Sequence, residues 1–201
     1  MRVLVACEES QTVCKAFRER GHEVYSCDVI DCSGGHPEWH IKDDVLKHLD
    51  DGWDMMIAHP PCTYLSRAGA RWLYPQGTLN NDRFALGLFA KDFFLKLWSS
   101  NIPLIAIENP TPFKVFNMPK ETQVIQPYQF GEPFSKRTLL WLKNLPPLIS
   151  TLIVSDYKSL LPSNTGYGRR KGQHYQYVNI SAKESSKTFQ GIANAMATQW
   201  G

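Results

Sequence analysis

Short apolar runs alternate with amphipathic stretches along most of this chain. The runs are rich in Val, Ile, Leu and Met, and one of them alternates apolar with polar side chains. Short apolar runs of this kind are typical of strands buried in a sheet whose two faces are covered. The strands predicted in this way occupy 1–6, 22–30, 54–58, 102–108 and 137–142.

Apolar residues at helical spacing fill the intervals between these strands. The longest such stretch carries a wide apolar stripe that includes Leu88 and Phe89, which predicts that this helix packs on the sheet. Strands that alternate with helices predict an α/β fold: a mostly parallel, twisted sheet with helices on both faces. The predicted helical segments are 10–21, 43–49 (a short helix or turn), 81–99 and 187–199.

Length and composition agree with one globular domain. The 201 residues are 43% hydrophobic and 20% charged, which fits a chain with a real core and excludes a disordered one. We expect neither a membrane span nor a secretory signal, because no apolar run has the length or layout of either. Five cysteines, an odd number, predict free thiols in a reducing, cytoplasmic compartment.

The basic residues suggest a nucleic-acid partner only through their distribution, since the net charge is +3. Several of them stand near Gly, Ser and aromatic residues in the later part of the chain. Such a group forms either a local basic face for DNA or an ordinary solvated surface. The candidate contacts to nucleic acid are Ser66, Arg67, Arg71, Lys136, Arg169, Arg170 and Lys171.

Ligands of parallel sheets bind at the carboxyl ends of the strands, so the residues that follow each strand are the candidates for chemistry. Pro60-Pro61-Cys62 ends the 54–58 strand. Two prolines restrict the backbone and hold the thiol in one place, and basic neighbours would lower its pKa and make it a nucleophile. The alternative is that Cys62 is a small buried apolar residue.

Two carboxyl groups stand at other strand ends. Asp28 ends the second strand, where an acid commonly binds a ribose diol, or it caps a loop. Glu108 ends the 102–108 strand, which Asn109-Pro110 is expected to break, and it can hydrogen-bond a heterocycle held over the thiol. A surface glutamate is the alternative.

Together these pieces resemble the cytosine-C5 DNA methyltransferase family. Pro60-Pro61-Cys62 matches that family's nucleophile motif, and Glu108-Asn109-Pro110 resembles its Glu-Asn-Val acid motif. The late segment 131–138 resembles its Gly-x-Pro-Gln-x-Arg-x-Arg motif, and 193–196 resembles Gly-Asn-Ala-Val. The matches follow the family's order over nearly the whole chain. The resemblance therefore implies a Rossmann-like S-adenosylmethionine-dependent methyltransferase fold in a single domain, 1–201, with 151–187 as a reduced recognition insertion.

The resemblance also implies roles for individual residues. Cys62 would attack C6 of cytosine, Glu108 would hydrogen-bond the ring, and Arg137 would support the base or its phosphate. The family's glycine-rich first loop is absent, and residues 7–12 replace it, so that Glu9 or Ser10 would hold the cofactor through a side chain. The residues implied for S-adenosylmethionine are Glu9, Ser10, Asp28, Val29, Asp44, Pro60 and Asn194.

Other readings of the chain stay open at this point. The missing glycine loop and the altered arginine motif also suit an inactive nucleic-acid-binding decoy, and the short insertion suits RNA or a free nucleotide as substrate. Amino-methyltransferases use an aromatic residue where this chain has Cys62. Four residues have spacing close to that of a zinc site, although we expect no metal; they are Cys27, Cys32, His36 and His40.

Overall fold

The computed structural model describes residues 1–162, 177–180 and 187–201. The strands are β1 (Arg2–Ala6), β2 (Glu23–Asp28), β3 (His40–Lys42), β4 (Met55–Ala58), β5 (Leu104–Pro110), β6 (Gln123–Ile125), β7 (Phe134–Ser135), β8 (Thr138–Lys143), β9 (Lys158–Pro162) and β10 (Tyr177–Ile180). The helices are α1 (Thr12–Arg18), α2 (Ala70–Leu73), α3 (Asn81–Trp98) and α4 (Gln190–Trp200).

Seven strands form the main sheet, in the order β3-β2-β1-β4-β5-β8-β6. Neighbours from β3 to β5 are parallel, whereas β8 runs antiparallel to both β5 and β6. The chain moves outward from β1 in one direction and from β4 in the other, so the strand order reverses between them. Such a switch point opens a crevice at the carboxyl ends of the strands. The predicted Rossmann-like fold is confirmed.

The two faces of the sheet are covered by different helices. Val3 and Val5 of β1 face α1 and α4, whereas Leu4 and Ala6 face the side on which α3 packs. All four side chains are fully buried. Because alternate residues of a strand point to opposite faces, an uninterrupted apolar run fills both layers at once.

A second, smaller sheet has the order β10-β9-β7, with parallel pairs. Its strands β9 and β10 lie within the 151–187 segment. No helix of the described residues is long and apolar enough to cross a membrane.

The end of β5 differs from the sequence prediction. Asn109 and Pro110 do not break β5, which continues to pair with β8 through Leu139 and Thr138. A proline is tolerated here because it stands at the end of the strand.

The predicted packing of α3 on the sheet is confirmed, because Phe94 and Leu97 join the core layer of Leu4, but part of the predicted stripe points outward. Leu88 is 45% exposed and Phe89 is 73% exposed, while Phe94 and Leu97 are the buried apolar residues. Apolar residues surround much of this helix, so its pattern does not fix the face that meets the sheet.

The N-terminal turn of α4 packs directly on backbone. A Cβ atom added at Gly191 would lie 1.9 Å from the carbonyl oxygen of Phe130, and the Gly191 amide donates to Glu132 Oε1 at 3.2 Å. The buried residues of this helix, including Ile192 and Met196, join α1 in one core layer. Any side chain at position 191 would therefore move the whole helix outward.

We predict that Gly191→Ala destabilises the protein by about 1–3 kcal/mol, because the close contact cannot relax without a backbone shift. Urea unfolding followed by circular dichroism measures this free energy. Asn194→Ala, at an exposed position of the same helix, is the control and should change stability by no more than about 0.5 kcal/mol. Equal effects of the two substitutions would contradict the packing argument.

Candidate active site

The loop after β4 places Cys62 in a cavity at the carboxyl edge of the sheet. This cavity, hereafter the Cys62 cavity, has a volume of about 530 Å³. Cys62 is half-buried, and Glu108 at the end of β5 lines the same cavity. The thiol and the carboxyl group are 46 positions apart in the sequence, and the sheet brings them to one site. The other residues that line the cavity include Pro60, Pro61, Ser66, Arg67, Lys136 and Arg137.

Asn109 fixes the nucleophile loop to the neighbouring strand. Its side chain is buried, and its Nδ2 donates a hydrogen bond to the carbonyl oxygen of Pro60 at 3.3 Å. The Cys62 carbonyl in turn accepts from the amides of Leu65 and Ser66 at 3.1 and 2.8 Å. Two prolines, one side-chain hydrogen bond and a tight turn therefore hold the thiol from both sides.

Charges near Cys62 act in opposite directions on its pKa. Burial and the negative charge of Glu108 raise the pKa of the Cys62 thiol, while the ammonium of Lys136 lowers it. The net shift is upward, so the prediction of a lowered pKa was wrong for the free protein. The basic neighbours are present, but burial beside a carboxylate outweighs them.

His59, the residue before the two prolines, is a site residue that the sequence reasoning missed. Its Nδ1 lies 3.4 Å from Glu108 Oε2 and 3.4 Å from Thr188 Oγ1. Burial raises the pKa of Glu108, but the hydrogen bond from His59 and the charge of Lys136 outweigh burial and lower the pKa overall. The buried Nε2 of His59 has no hydrogen-bond partner among the described residues. The sequence signal that could have identified His59 as a site residue is its position between the end of a strand and Pro60.

A second cavity, hereafter the Asp28 cavity, adjoins the first. Its volume is about 150 Å³, and Glu9, Ser10 and Asp28 line it. His59 lines both cavities and so marks the boundary between them. The crevice at the switch point of the sheet is thus divided into two compartments that share one side chain.

The loop that replaces the glycine-rich sequence is held by its own side chains. Cys7 and Gln11 adopt the left-handed conformation, with φ of 59° and 57°. Glu8 is buried, and its carboxylate accepts from the amides of Val13 and Cys14 at 2.7 and 3.1 Å. A carboxylate at the start of α1 satisfies amides that would otherwise lack partners.

Among the residues that line the Asp28 cavity, the Asp28 carboxylate is the group suited to the ribose hydroxyls of a nucleoside cofactor. The charges of Asp28 and Asp44 both raise the pKa of Cys7, although Asp44 does not itself line the cavity. Such acids would bind the ribose hydroxyls and the adenine amine. Glu9 accepts a hydrogen bond from Ser33 Oγ, so its carboxylate is already engaged.

The remaining predicted residues lie at varying distances from the two cavities. Val29 is 67% exposed beyond Asp28, and Asp44 Oδ1 caps a short turn by accepting from the Leu46 amide at 3.0 Å. Arg71 lies on α2, just beyond the Cys62 cavity. The predicted residues that line neither cavity are Val29, Asp44, Arg71 and Asn194. Arg169, Arg170 and Lys171 lie outside the described residues.

Asn194 is not brought to the site, which differs from the role implied for it. Its Oδ1 accepts a hydrogen bond from Gln190 Nε2 at 2.9 Å along the exposed face of α4. The helix turns Ala193 and Met196 inward instead, because these are the residues that complete the apolar layer.

The residues with zinc-like spacing are engaged in other contacts. Cys27 is buried in β2, and its thiol lies 3.5 Å from the Asp43 carbonyl. His36 stacks on Trp39, and His40 hydrogen-bonds Ser26 Oγ at 2.9 Å. Among the described residues, no group of three or more His, Cys, Asp or Glu side chains is placed to hold a metal ion.

Comparison with known proteins finds distant likeness to solved structures. No protein-family model and no curated protein matches the chain. A solved structure from Escherichia coli, described as a candidate DNA modification methyltransferase encoded within a prophage, superposes with a TM-score of 0.45 at 13% identity. The superposition covers 77% of this chain and 52% of that one, so the chain spans about half the length of that protein. A likeness of this extent assigns no activity.

We predict that two substitutions shift the reactivity of Cys62 in opposite directions. Glu108→Gln removes a like charge, lowers the pKa of the thiol and should speed its alkylation by iodoacetamide at pH 8 by about threefold to tenfold. Lys136→Gln removes a stabilising charge and should slow alkylation. Peptide mass spectrometry assigns the label to Cys62. The buried Cys14 and Cys27, whose pKa burial raises to about 12, serve as internal controls. Shifts in the same direction would contradict this electrostatic account.

Proposed function

We propose that this protein transfers a methyl group from S-adenosylmethionine to C5 of cytosine in DNA, through a covalent bond to Cys62. The observation that carries the proposal is the shared cavity of Cys62 and Glu108, next to a second cavity lined by Asp28. A nucleophile and a carboxyl group on one side, and a nucleoside-binding acid on the other, are the parts that this reaction needs.

Cys62 would begin the reaction by attacking C6 of the target ring. The S–C6 bond forms, and the electron pair of the C5–C6 double bond makes C5 a nucleophile. Lys136 lines the cavity and favours the thiolate, which offsets part of the cost of burial beside Glu108. Because burial beside Glu108 raises the pKa of the free thiol, the thiol would lose its proton as the substrate binds.

Glu108 would bind the polar edge of the cytosine. Its carboxylate accepts from the exocyclic amine, and its protonated form donates to N3, where negative charge develops as the thiolate adds. His59 lies within hydrogen-bond reach of Glu108, so the two side chains can share the proton that Glu108 gains and loses between these two roles. Asn109 would act as a positioning residue because it fixes Pro60 and thereby the loop that carries Cys62.

S-adenosylmethionine would supply an electrophilic methyl group from the side of the Asp28 cavity. Asp28 and Asp44 would bind its ribose and adenine, with the exposed Val29 beside the adenine ring. After the methyl group is transferred to C5, a base or water removes the C5 proton, the double bond re-forms and Cys62 leaves. In duplex DNA the cytosine must first leave the helix stack, at a cost of a few kcal/mol.

We predict transfer of labelled methyl from S-adenosylmethionine to DNA by the wild-type chain, with 5-methylcytosine as the product after nucleoside digestion. Cys62→Ser should lower the rate by about a thousandfold or more, because serine is a far weaker nucleophile at this pH. RNA and deoxycytidine monophosphate are run in parallel. Transfer to one of these alone would move the proposal to another pyrimidine substrate. No transfer, with no cofactor binding by calorimetry, would favour the inactive decoy.

We also predict that DNA with 5-fluorocytosine at the target forms a complex that survives denaturation, in the presence of S-adenosylmethionine. A fluorine at C5 cannot be removed as a proton, so the bond to Cys62 stays intact. Denaturing gel electrophoresis and peptide mapping locate the bond. Cys32→Ser is a matched control that should still form the complex. Methylation of ordinary cytosine without any such complex would refute the covalent route.

A further inference from the structure

The segment between the nucleophile loop and α3 exposes aromatic rings beside arginines. Trp72 is 57% exposed and Tyr64 is 37% exposed, although both rings are large and apolar. The Arg71 guanidinium lies 4.8 Å from the Trp72 ring centroid, and Arg83 lies 5.0 Å from that of Tyr64. We define the aromatic platform as these four residues together with Arg67.

The platform is rigid, because its underside is part of the core. Leu65 and Leu73 are buried in a cluster with Phe116. The Arg67 amide donates to the Thr111 carbonyl at 2.9 Å, and the Phe113 amide donates to the Leu65 carbonyl at 2.7 Å. Burial of the leucines and these backbone hydrogen bonds fix which side chains point outward. The exposure of Trp72 is thus imposed by the fold.

The platform continues directly from the Cys62 cavity. Thr63, Ser66, Arg67 and Ala68 line the cavity, and Trp72 follows four residues later through one short helical turn. Four residues of helix advance about 6 Å, close to the spacing of successive nucleotides in an extended strand. When one base occupies the cavity, a ring at this place can contact the base of the next nucleotide along the strand.

Charge in this segment favours a polyanion. Residues 63–83 include three arginines and one acidic residue, Asp82. Lys136 and Arg137 stand on the other side of the cavity, where Arg137 lies 3.7 Å from Glu121. Aromatic rings interleaved with cations suit a single strand, because bases stack on the rings while phosphates meet the arginines.

We propose that the aromatic platform binds single-stranded or locally unpaired DNA, with Trp72 stacked on a base next to the target cytosine. The proposal deepens the proposed function and rests on it for the identity of the target base. It places recognition on the segment 63–83, whereas the sequence resemblance had placed it on 151–187. An unpaired strand also avoids the cost of extruding the cytosine from a duplex.

The test is equilibrium binding of a fluorescein-labelled oligodeoxynucleotide of about a dozen nucleotides with one cytosine, single-stranded or in its duplex. We expect the full chain to bind the single strand more tightly. Trp72→Ala should weaken this binding roughly tenfold, and Trp72→Phe should retain most of it. Phe89→Ala removes an aromatic side chain that is 73% exposed on α3 and should leave binding unchanged.

A second variant tests the arginine contribution independently of the tryptophan. Arg67→Gln should lower the slope of log Kd against log salt by about 0.7, the value for one phosphate contact to a single strand. Tighter binding of the duplex, or equal losses in Trp72→Ala and Phe89→Ala, would overturn the proposal. Intact binding with no methyl transfer by the wild-type chain would instead count against the proposed function, so the two failures are distinguishable.

Discussion

The register between β4 and β5 is the constraint on which the site depends. Ala58 pairs with Ile107 in this parallel pair, so the next residues along each strand, His59 and Glu108, emerge side by side. The hydrogen bond from Asn109 to the Pro60 carbonyl closes the same junction one residue further. A shift of one residue would turn the side chains of a strand to the other face. Such a shift would separate the thiol loop from the carboxyl group. The two buried core layers fix the register, and they therefore also hold the site together.

Burial beside the sheet determines the electrostatics of the junction. Glu8 and Glu108 are both buried carboxyl groups, yet the pKa of Glu8 is raised while that of Glu108 is lowered. Burial dominates at Glu8 despite the nearby charge of His59. At Glu108, the His59 hydrogen bond and the Lys136 charge prevail. The hydrogen-bonding and charged groups around each carboxyl group therefore decide the direction in which its pKa moves.

Sequence patterns were informative where one physical cause dominates. The buried strands and the strand-end residues Asp28, Cys62 and Glu108 follow from apolar runs and from chain breaks, which are local. The short strands β3 and β6 were missed because their pairing depends on distant partners. The contact between His59 and Glu108 depends on register. The exposure of Phe89 depends on how α3, whose apolar residues are spread around much of its circumference, is rotated about its axis. These are tertiary effects that periodicity does not encode.

Cys62 lies in a cavity with Glu108, as the sequence predicts, but the direction predicted for its pKa was wrong. Basic neighbours were expected to lower it, and Lys136 does act in that direction. The same junction that brings Glu108 to the thiol also excludes water, and both effects oppose ionisation. A thiol with this balance is less ionised than a free cysteine side chain at the same pH. A nucleobase that engages Glu108 would weaken the repulsion of the thiolate, so the geometry that suppresses the free nucleophile would also couple its activation to occupancy of the cavity.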